Sequence, residues 1–387
     1  MFNVKWVDSE SEIQQSLWEH CFPAPYEGRW WYKALEDAGL QDQFKFQYGI
    51  VYDEEKPVAI APAFLMNVPM KLVVPPFIFP LLAILGHIIP SVLYQRTLFI
   101  GSPCSDEGRV GAIEGVDQYA LFEAINFSMK EMARKHNVPM LVWKDFTNKD
   151  ATDLSRMIKN EGGFRLVSFP GTEVSLLGED KNGYLASLKA SRRNKVKKKL
   201  RLAANAPIEG EVLINPDSET IQEIFELFSQ TYDKGVTKFE RLNINFFKLI
   251  SKYEHAHILV LREKDTKKIV SFMLCFLIGK QVINKFIGID YQKPKEWFLY
   301  FRLWEFAVEW SYSVGAKRIQ SGQTGYAPKI ELGNELVHLT NYCKHRNPIV
   351  NWLYKQGAKT VNWDTLDGDL SEFVKAYPDL MPDFNSK

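Results

Sequence analysis

The sequence has 387 residues, of which 46% are hydrophobic and 25% are charged, and its formal net charge is +1. A chain of this length and composition suits two folded domains rather than a disordered polymer. Because the charges nearly balance, overall attraction to nucleic acid or anionic lipid is excluded, and any such binding needs a local basic patch.

The first half of the chain is predicted to contain two short helices, a strand hairpin, a long amphipathic helix and a short strand. In order, these elements cover residues 8–20, 30–38, 48–64, 118–136 and 140–143. Turn residues at 162–171 then indicate a boundary, so we expect residues 1–165 and 166–387 to form two domains.

The second half repeats part of this pattern. It is predicted to contain, in order, a strand, a basic helix, two further helices, a hairpin, a long helix and two strands: residues 172–177, 182–204, 218–232, 242–252, 258–274, 297–313, 318–320 and 335–343. Short helices at 349–355 and 370–376 end the chain. Hairpin, long helix and short strand follow one another in both halves, which indicates one structural unit used twice.

The first copy is longer than the second because of an apolar insertion at about residues 70–100. Residues 72–94 contain no Asp, Glu, Lys or Arg and are long enough to span a bilayer. Prolines interrupt helical hydrogen bonding within this stretch, so a spanning helix is not expected. The alternatives are burial within the protein, part of the interface between the two copies, a groove for an acyl chain, or contact with a membrane surface.

The helix predicted at residues 182–204 carries a dense positive charge that includes Arg192 and Arg193. Three interpretations stay open for it: a solvated helix face, contact with the phosphates of a nucleotide or an RNA, and contact with anionic lipid head groups.

The four cysteines, Cys21, Cys104, Cys275 and Cys343, are far apart and form no Cys-x-x-Cys pair. We therefore expect no metal site and no disulfide framework, which is typical of a reducing compartment. The N-terminal residues show no basic segment followed by an apolar core, so no secretion signal is predicted. A cytoplasmic location is expected, with membrane association left open.

The stretch from residue 284 to residue 329 is the most informative part of the sequence. It is predicted to form a strand, a polar loop, the long helix, a short strand and a polar loop at residues 321–329. A loop that leaves the carboxyl end of a strand is a common place for chemistry in α/β proteins. The strongly specific motifs of P-loop, hydrolase, zinc-protease and dinucleotide-binding proteins are absent from the sequence.

This order of elements, the basic run at residues 191–199 and the loop at 321–329 resemble the Fem-like branch of the GNAT acyltransferase superfamily. The resemblance is to FemAB-like proteins of the peptidoglycan biosynthesis/recognition type and to CelD-like acetyltransferases. Where FemAB-like proteins tend to carry Gly-Glu-His-Lys, this chain has Gly325-Tyr-Ala-Pro-Lys329. The GNAT pyrophosphate signature is also missing after the strand at residues 280–289.

The resemblance implies an α/β fold of two tandem GNAT-like domains, each a mixed sheet flanked by helices, which form a cleft. It implies transfer of an acyl or aminoacyl group to an amine, with acyl-CoA as the donor and aminoacyl-tRNA as the alternative. The acceptor would be a small amine or a cell-wall precursor, tRNA stays a candidate partner, and no stable DNA binding is expected. A non-catalytic GNAT-shaped protein that binds a cell-wall or lipid-linked precursor is the competing function.

Acyl transfer to an amine needs a proton acceptor, an oxyanion donor and an acid for the leaving group. Under the resemblance, Asp290 or Glu331 would take the ammonium proton, and Tyr326 or Tyr291 would protonate the leaving group.

The remaining candidates bind rather than react. Gln323 and Lys329 would bind a carboxylate, phosphate or carbonyl, and Arg192 and Arg193 are candidates for donor binding. For each of these side chains the competing interpretation is a solvent-exposed position without a role.

Overall fold

The structure is a computed structural model that describes residues 2–72, 79–88, 90–235 and 240–377. Its strands are β1 (Phe2–Val7), β2 (Lys45–Asp53), β3 (Lys56–Pro69), β4 (Tyr94–Ile100), β5 (Gly111–Ala112), β6 (Met140–Thr147), β7 (Phe164–Val167), β8 (Gly171–Ser175), β9 (Ile208–Leu213), β10 (Ala256–Glu263), β11 (Ile269–Ile278), β12 (Gln281–Ile289), β13 (Arg318–Gln320), β14 (Glu335–Val337) and β15 (Leu339–His345).

The α-helices are α1 (Gln15–Cys21), α2 (Arg29–Asp37), α3 (Phe79–Gly86), α4 (Gln118–Lys135), α5 (Ala151–Asn160), α6 (Lys181–Ser187), α7 (Ala190–Ala203), α8 (Ser218–Lys234), α9 (Ile244–Ile250), α10 (Leu299–Ser313), α11 (Tyr326–Glu331), α12 (Pro348–Ala358), α13 (Trp363–Leu366) and α14 (Gly368–Ala376). Single 3₁₀ turns lie at Glu10–Glu12, Met70–Leu72, Pro90–Leu93 and Lys295–Trp297.

The described residues form two compact units. The first unit draws on Met1–Pro23, Leu40–Phe169 and His338–Lys387, and the second on Ala24–Gly39 and Pro170–Val337. The predicted domains, residues 1–165 and 166–387, differ from these units in two segments. Residues 24–39 belong to the second unit, and residues from 338 onward belong to the first. Long-range strand pairing and helix packing decide their place, and neither leaves a local pattern in the sequence.

Each unit is built on one mixed sheet, and the two sheets share the same order and direction of strands. The first sheet runs β1-β2-β3-β4-β6-β15-β7, with β5 added beside β3, and the second runs β9-β10-β11-β12-β13-β8-β14. In each sheet one neighbouring pair is parallel, β4 with β6 and β12 with β13, and the other described pairs are antiparallel. The internal repeat predicted from the sequence is therefore present in the strand order.

The two sheets exchange one strand: β8 follows β7 in the chain and β15 follows β14, but β8 pairs in the second sheet and β15 in the first. β15 enters the first sheet between β6 and β7, although it follows the whole second unit in the chain. β8 occupies the matching position of the second sheet, between β13 and β14. The predicted single strand at residues 335–343 is wrong for this reason: it is two strands, β14 and β15, in different sheets.

Two other predictions need correction. The basic helix predicted at residues 182–204 is broken at Leu188 and Lys189 into α6 and α7. The apolar insertion is shorter than predicted, because its last residues form β4, a buried strand that pairs with β3 and β6. Residues 73–78 and residue 89 of the insertion lie outside the described residues.

The core of each unit places the long helix on one face of its sheet. In the first unit Leu121, Phe122 and Ile125 of α4 belong to one core cluster with residues of β3, β4 and β6. In the second unit Leu303, Trp304 and other residues of α10 pack against β10 to β13. Leu303 is one of the positions in α10 at which apolar residues recur with helical spacing. None of the described helices is both long and apolar enough to cross a lipid bilayer.

The strand exchange predicts where a core substitution acts. Tyr342 in β15 is 1% exposed and packs in the core of the first unit. We expect Tyr342→Ala to destabilise by about 3 to 5 kcal/mol, as for other buried aromatic residues. Native-state hydrogen exchange would then accelerate first in β6 and β7.

The matched variant is Val174→Ala in β8, which is 7% exposed in the core of the second unit. Its faster exchange should begin in β13 and β14. If Tyr342→Ala raised the hydrogen-exchange rate only in β10–β12, the exchange of strands would be contradicted.

Candidate functional site

The parallel pair of the second sheet separates after a short contact. Gln281, Val282 and Ile283 of β12 pair with Arg318, Ile319 and Gln320 of β13. β12 then continues to Ile289 paired with β11, and no strand among the described residues pairs with its other edge. The separation leaves this edge of a central strand without a strand partner, and the Ile289 N–H there donates to Thr231 Oγ1 of α8 at 3.1 Å.

A β-bulge lies at the start of the separated part of β12. The pairing with β11 moves from Asn284–Cys275 to Phe286–Leu274, which leaves Lys285 as the extra residue. The Lys285 side chain is 1% exposed, and its ammonium lies 2.8 Å from Glu27 Oε1 and 4.8 Å from the centre of the Trp31 ring. A buried ion pair thus fixes the strand at its bulge.

The equivalent position of the first sheet is closed by the chain itself. β4 and β6 pair from Thr97–Met140 to Ile100–Trp143 and then part. Beyond that point the Gly108 N–H donates to the Asp145 carbonyl at 2.8 Å, and a Cβ on Gly108 would lie 1.8 Å from the Lys144 carbonyl oxygen. Because backbone fills this space in the first unit, we place the candidate site in the second unit.

The loop after β13 is held from inside by one ammonium group. Lys329 is 7% exposed, and its Nζ donates to the carbonyls of Ser321 at 2.5 Å, Gly322 at 3.3 Å and Gln323 at 3.1 Å. An ammonium has three protons to donate, so these contacts match its donor capacity. Thr172 in β8 holds the outer side of the loop, because its Oγ1 donates to the Gly322 carbonyl at 2.8 Å.

We call the contacts of Lys329 with these three carbonyls the Lys329 brace. The brace also fixes the direction of the loop N–H groups. In a planar trans peptide the C=O and the N–H point in opposite directions. The three carbonyls turned toward Lys329 therefore turn the N–H groups of Gly322, Gln323 and Thr324 away from it. The loop needs left-handed backbone to do this: φ is +59° at Gly322 and +61° at Thr324. Such successive N–H groups form concave sites for anions and oxyanions.

The segment predicted as loop at residues 321–329 ends in a short helix, because α11 begins at Tyr326. Tyr326 is fully buried, and its hydroxyl donates to the Pro170 carbonyl at 2.9 Å. In this arrangement Tyr326 anchors α11 against the start of β8, so its proton is already engaged.

A second tyrosine has a different environment. The Tyr300 hydroxyl, on the first turn of α10, is buried without a hydrogen-bond partner among the described residues. Burial raises the pKa of Tyr300 above its usual range, and nearby Tyr184 raises it further. Tyr184 itself donates to the Leu332 carbonyl and accepts from Trp304 Nε1 at 3.1 Å. These bonds tie α6, α10 and the end of α11 together around Tyr300.

Glu331 closes the other side of this helix group. Its Oε2 lies 2.6 Å from Lys199 Nζ, and that ammonium lies 4.0 Å from the centre of the Phe301 ring. Its Oε1 is buried without a partner among the described residues, as are Ser321 Oγ and Asn334 Oδ1. Buried polar atoms without a partner are rare, so their presence beside the loop favours a polar ligand there.

The other predicted site residues lie apart from the loop. Asp290 and Tyr291 follow β12, about 20 Å along the strand from Ile283, where the pairing with β13 ends. Asp290 Oδ1 accepts from the Gln292 N–H at 2.9 Å, and Tyr291 is 45% exposed with Lys234 Nζ 3.6 Å from its ring centre. Both residues stay candidates, at a different place from Glu331 and Lys329.

The two predicted arginines lie on the first turn of α7. Arg192 is half-buried. The Arg193 guanidinium donates to the carbonyls of Ala186 at 3.0 Å and Leu188 at 3.1 Å, so it holds the end of α6 against α7. Lys195, Lys197 and Lys198 of the same helix are exposed.

Sequence reasoning missed Lys285, Glu27 and Tyr300. Glu27 lies in the segment that joins the second unit from a distance of more than two hundred residues, so no local pattern links it to Lys285. Tyr300 was available as a polar residue in the first turn of the predicted helix, directly after the polar loop. It differs from the buried Tyr184 and Tyr326 because its hydroxyl has no hydrogen-bond partner among the described residues.

Comparison with known proteins assigns the class. The sequence matches the FemAB-like family, described as peptidoglycan biosynthesis/recognition, over residues 109–354. No curated protein matches the chain significantly.

Solved structures show the same fold at low identity. FemX has a TM-score of 0.58 at 12% identity, over 90% of this chain and 100% of that chain. L-PGS from Bacillus licheniformis has a TM-score of 0.51 at 11% identity, over 83% and 91%. A tandem GNAT protein from the clavulanic acid biosynthesis pathway has a TM-score of 0.51 at 9% identity, over 90% and 99%.

The fold is thus that of two tandem GNAT-like domains, as the sequence predicted. Within that class, the chain belongs to the FemAB-like family.

The Lys329 brace predicts a large stability loss on substitution. Lys329→Met keeps the length of the side chain but removes the ammonium donor from the Ser321 and Gln323 carbonyls, while the Gly322 carbonyl keeps only its bond from Thr172. We expect a loss of about 3 kcal/mol or more in the free energy of unfolding, measured by urea denaturation. Lys197→Met, on an exposed position of α7, should change it by less than about 0.5 kcal/mol. Equal stability of both variants would disprove the brace.

The Lys285–Glu27 pair predicts a rescue. Glu27→Gln leaves a buried ammonium without its counter-charge, which costs about 3 to 5 kcal/mol. Adding Lys285→Met removes that charge, so the double variant should be more stable than Glu27→Gln alone. The exposed pair Lys267–Glu209, at 2.7 Å, is the control and should show a coupling below about 1 kcal/mol. A coupling free energy between Lys285 and Glu27 as small as that of the exposed pair would contradict the burial of this ion pair.

Proposed function

We propose that the protein is an N-acyltransferase that moves an acyl or aminoacyl group from an activated donor to an amine of a cell-wall or lipid-linked precursor. The observation that carries this proposal is the braced loop after β13, which begins where the pairing of β12 with β13 ends. The family description, peptidoglycan biosynthesis/recognition, supports the acceptor class. The donor is acyl-CoA or aminoacyl-tRNA.

The loop supplies what acyl transfer needs most, a preorganised place for developing negative charge. A neutral amine attacks the acyl carbon, the C–N bond forms, and the C–S or C–O bond to the leaving group breaks. The oxygen of the tetrahedral intermediate would be held by the N–H groups of Gly322 and Thr324. The Lys329 ammonium bonds the carbonyls of the same peptides, which strengthens those N–H groups as donors.

Two protons must move in this reaction, one from the attacking amine and one to the leaving sulfur or oxygen. Glu331 is the proposed acceptor, because one of its oxygens is buried without a partner among the described residues. Tyr300 is the proposed donor, because its buried hydroxyl has no hydrogen-bond partner among the described residues and carries a proton at neutral pH. Asp290 and Tyr291 remain alternatives at the end of β12, and Tyr326 keeps its role as an anchor.

Arg192 is proposed to contact donor phosphates from the first turn of α7, together with the exposed lysines of that helix. The helix does not decide between the two donors, since coenzyme A and tRNA both carry phosphate groups. Arg193 supports this surface indirectly, because its guanidinium joins α6 to α7.

The second candidate function is non-catalytic binding of a cell-wall or lipid-linked precursor. It is favoured by the engagement of Lys329 and Tyr326 with the protein's own carbonyls. In that case the loop would hold an anionic group of the ligand and no bond would change.

A single-turnover assay distinguishes the two functions. Radiolabelled acetyl-CoA, palmitoyl-CoA and charged tRNA are each mixed with excess protein and with nucleotide-linked or lipid-linked muropeptides. The transferase proposal predicts amide-linked label on one acceptor. Stabilisation by an acceptor in a thermal-shift experiment, without label transfer from any donor, would contradict it and favour binding.

The same assay tests Tyr300. Tyr300→Phe should lower the transfer rate about a hundredfold, because general acid catalysis is lost, while the thermal shift with the donor stays unchanged. Tyr312→Phe is the control, because it removes the hydroxyl of another α10 tyrosine, which donates to the Leu177 carbonyl at 2.8 Å. Equal rates for both variants would exclude Tyr300 as the proton donor.

A further inference from the structure

One end of the first sheet gathers several features that the proposed chemistry does not use. β2, β4 and β6 begin at this end, and β3 and β15 finish there, as their registers show. It is opposite to the carboxyl ends of the parallel pair β4 and β6. We call it the base of the first unit.

An apolar helix projects from the base. α3 is inserted between β3 and β4, and its sequence, FPLLAILG, contains no charged residue. It is packed against its own chain, since a Cβ on Gly86 would lie 2.6 Å from the Leu93 side chain. Nevertheless Ile84 is 65% exposed and Ile88, just after the helix, is 80% exposed.

A second apolar surface begins at the same base. α12 follows β15 directly, and its residues Ile349, Trp352 and Leu353 are 70%, 59% and 54% exposed. The Tyr354 hydroxyl lies 3.2 Å from Gln95 Oε1, which fixes α12 beside the first residues of β4. Large side chains with this exposure are expected to be covered by something when they occur together.

The segments that carry these side chains contain basic residues and no carboxylate, and Glu161, which lies beside α12, is paired with Lys130 and Lys344. Residues 56–105 and 346–363, which contain α3 and α12, include no Asp or Glu. Exposed cations lie at the base, among them Lys45, Lys71, Arg96, Lys135 and Lys355.

His136, which lies at the base, is close to several of these cations. Burial lowers the pKa of His136, and nearby Lys45, Lys135 and Arg96 lower it further, against an opposing effect of Asp8. The cations of the base therefore lie close enough to one another to act together.

We propose that the base of the first unit, formed by α3, Ile88, Tyr94 and the exposed side of α12, docks on an anionic lipid surface. The aliphatic side chains would enter the acyl region, Tyr94 and Trp352 would lie at head-group level, and the cations would face lipid phosphates. α3 is too short to span a bilayer, so the contact is interfacial.

A second copy of the chain is a poorer occupant. A symmetric dimer through this surface would place two sets of cations against each other without any carboxylate in either segment. Anionic lipid supplies the missing charge and accepts the apolar side chains at once. The proposal goes beyond the proposed function, because docking needs neither an acyl donor nor an amine.

Vesicle co-sedimentation tests the surface with a matched pair of variants. The full chain is mixed with phosphatidylcholine vesicles that contain, or lack, phosphatidylglycerol. Ile84 and Ile214 are both 65% exposed, but Ile214 lies in the second unit. Ile84→Glu should weaken binding to the anionic vesicles about tenfold or more, and Ile214→Glu should not. Trp352→Ala should weaken it as well.

A spectroscopic reading keeps the test independent of folding defects. An environment-sensitive dye on Ile88→Cys, in a Cys104→Ser background, should shift to the blue with anionic vesicles, whereas the same dye on Ile214→Cys should not. The other cysteines are buried, so labelling is confined to the chosen position.

Three results would overturn the proposal: no binding of the full chain to either vesicle, equal binding of Ile84→Glu and the parent, or a vesicle-independent dimer that Trp352→Ala dissociates. Because no donor or acceptor is present, a negative result leaves the transferase proposal to its own assay.

Discussion

The conformation of the candidate site depends on the buried ammonium group of Lys329. Lys329 joins three successive carbonyls and so sets the conformation of the loop that leaves β13. A positive charge is stable in this place only because the carbonyls replace its water, and the loop holds its left-handed residues only because the ammonium holds them. The loop and the lysine therefore stabilise each other, and their contacts set the direction of the loop N–H groups. The proposed chemistry follows from that direction rather than from a reactive side chain.

The separation of β12 from β13 makes this loop accessible, and the first unit shows the same architecture without it. There the backbone around Gly108 fills the equivalent place, and no side chain is needed to close it. Of the two equivalent positions in this duplicated fold, the one after β13 is not filled in this way among the described residues, and the one after β6 is filled by backbone. The first unit is left with different features: an apolar helix inserted before β4, and two segments at its base that carry cations and no carboxylate.

Much of the fold is predictable from sequence, because hydrophobic periodicity marks α4, α10 and the hairpins in both copies. The exchange of strands is not predictable from sequence. The residues of β14 and β15 have the pattern of one continuous strand, and only their pairing in different sheets shows that they are two. For the site, the sequence points to the region of Gln323 and Lys329, since a polar, glycine-containing loop directly after a strand is visible in the residue pattern. It does not reveal that Lys329 faces inward, that Tyr326 is anchored to Pro170, or that Glu27 reaches Lys285, because these depend on burial.

The proposed chemistry requires that the Lys329 brace prepares the loop N–H groups for an acyl oxygen. The most direct measurement is NMR of the chain labelled with ¹⁵N at glycine and threonine, with a non-reactive analogue of whichever donor stabilises the protein. We expect a downfield shift of the Gly322 and Thr324 amide protons on binding, and loss of this shift in Lys329→Met. Bound analogue with unchanged Gly322 and Thr324 resonances would contradict the role of the brace.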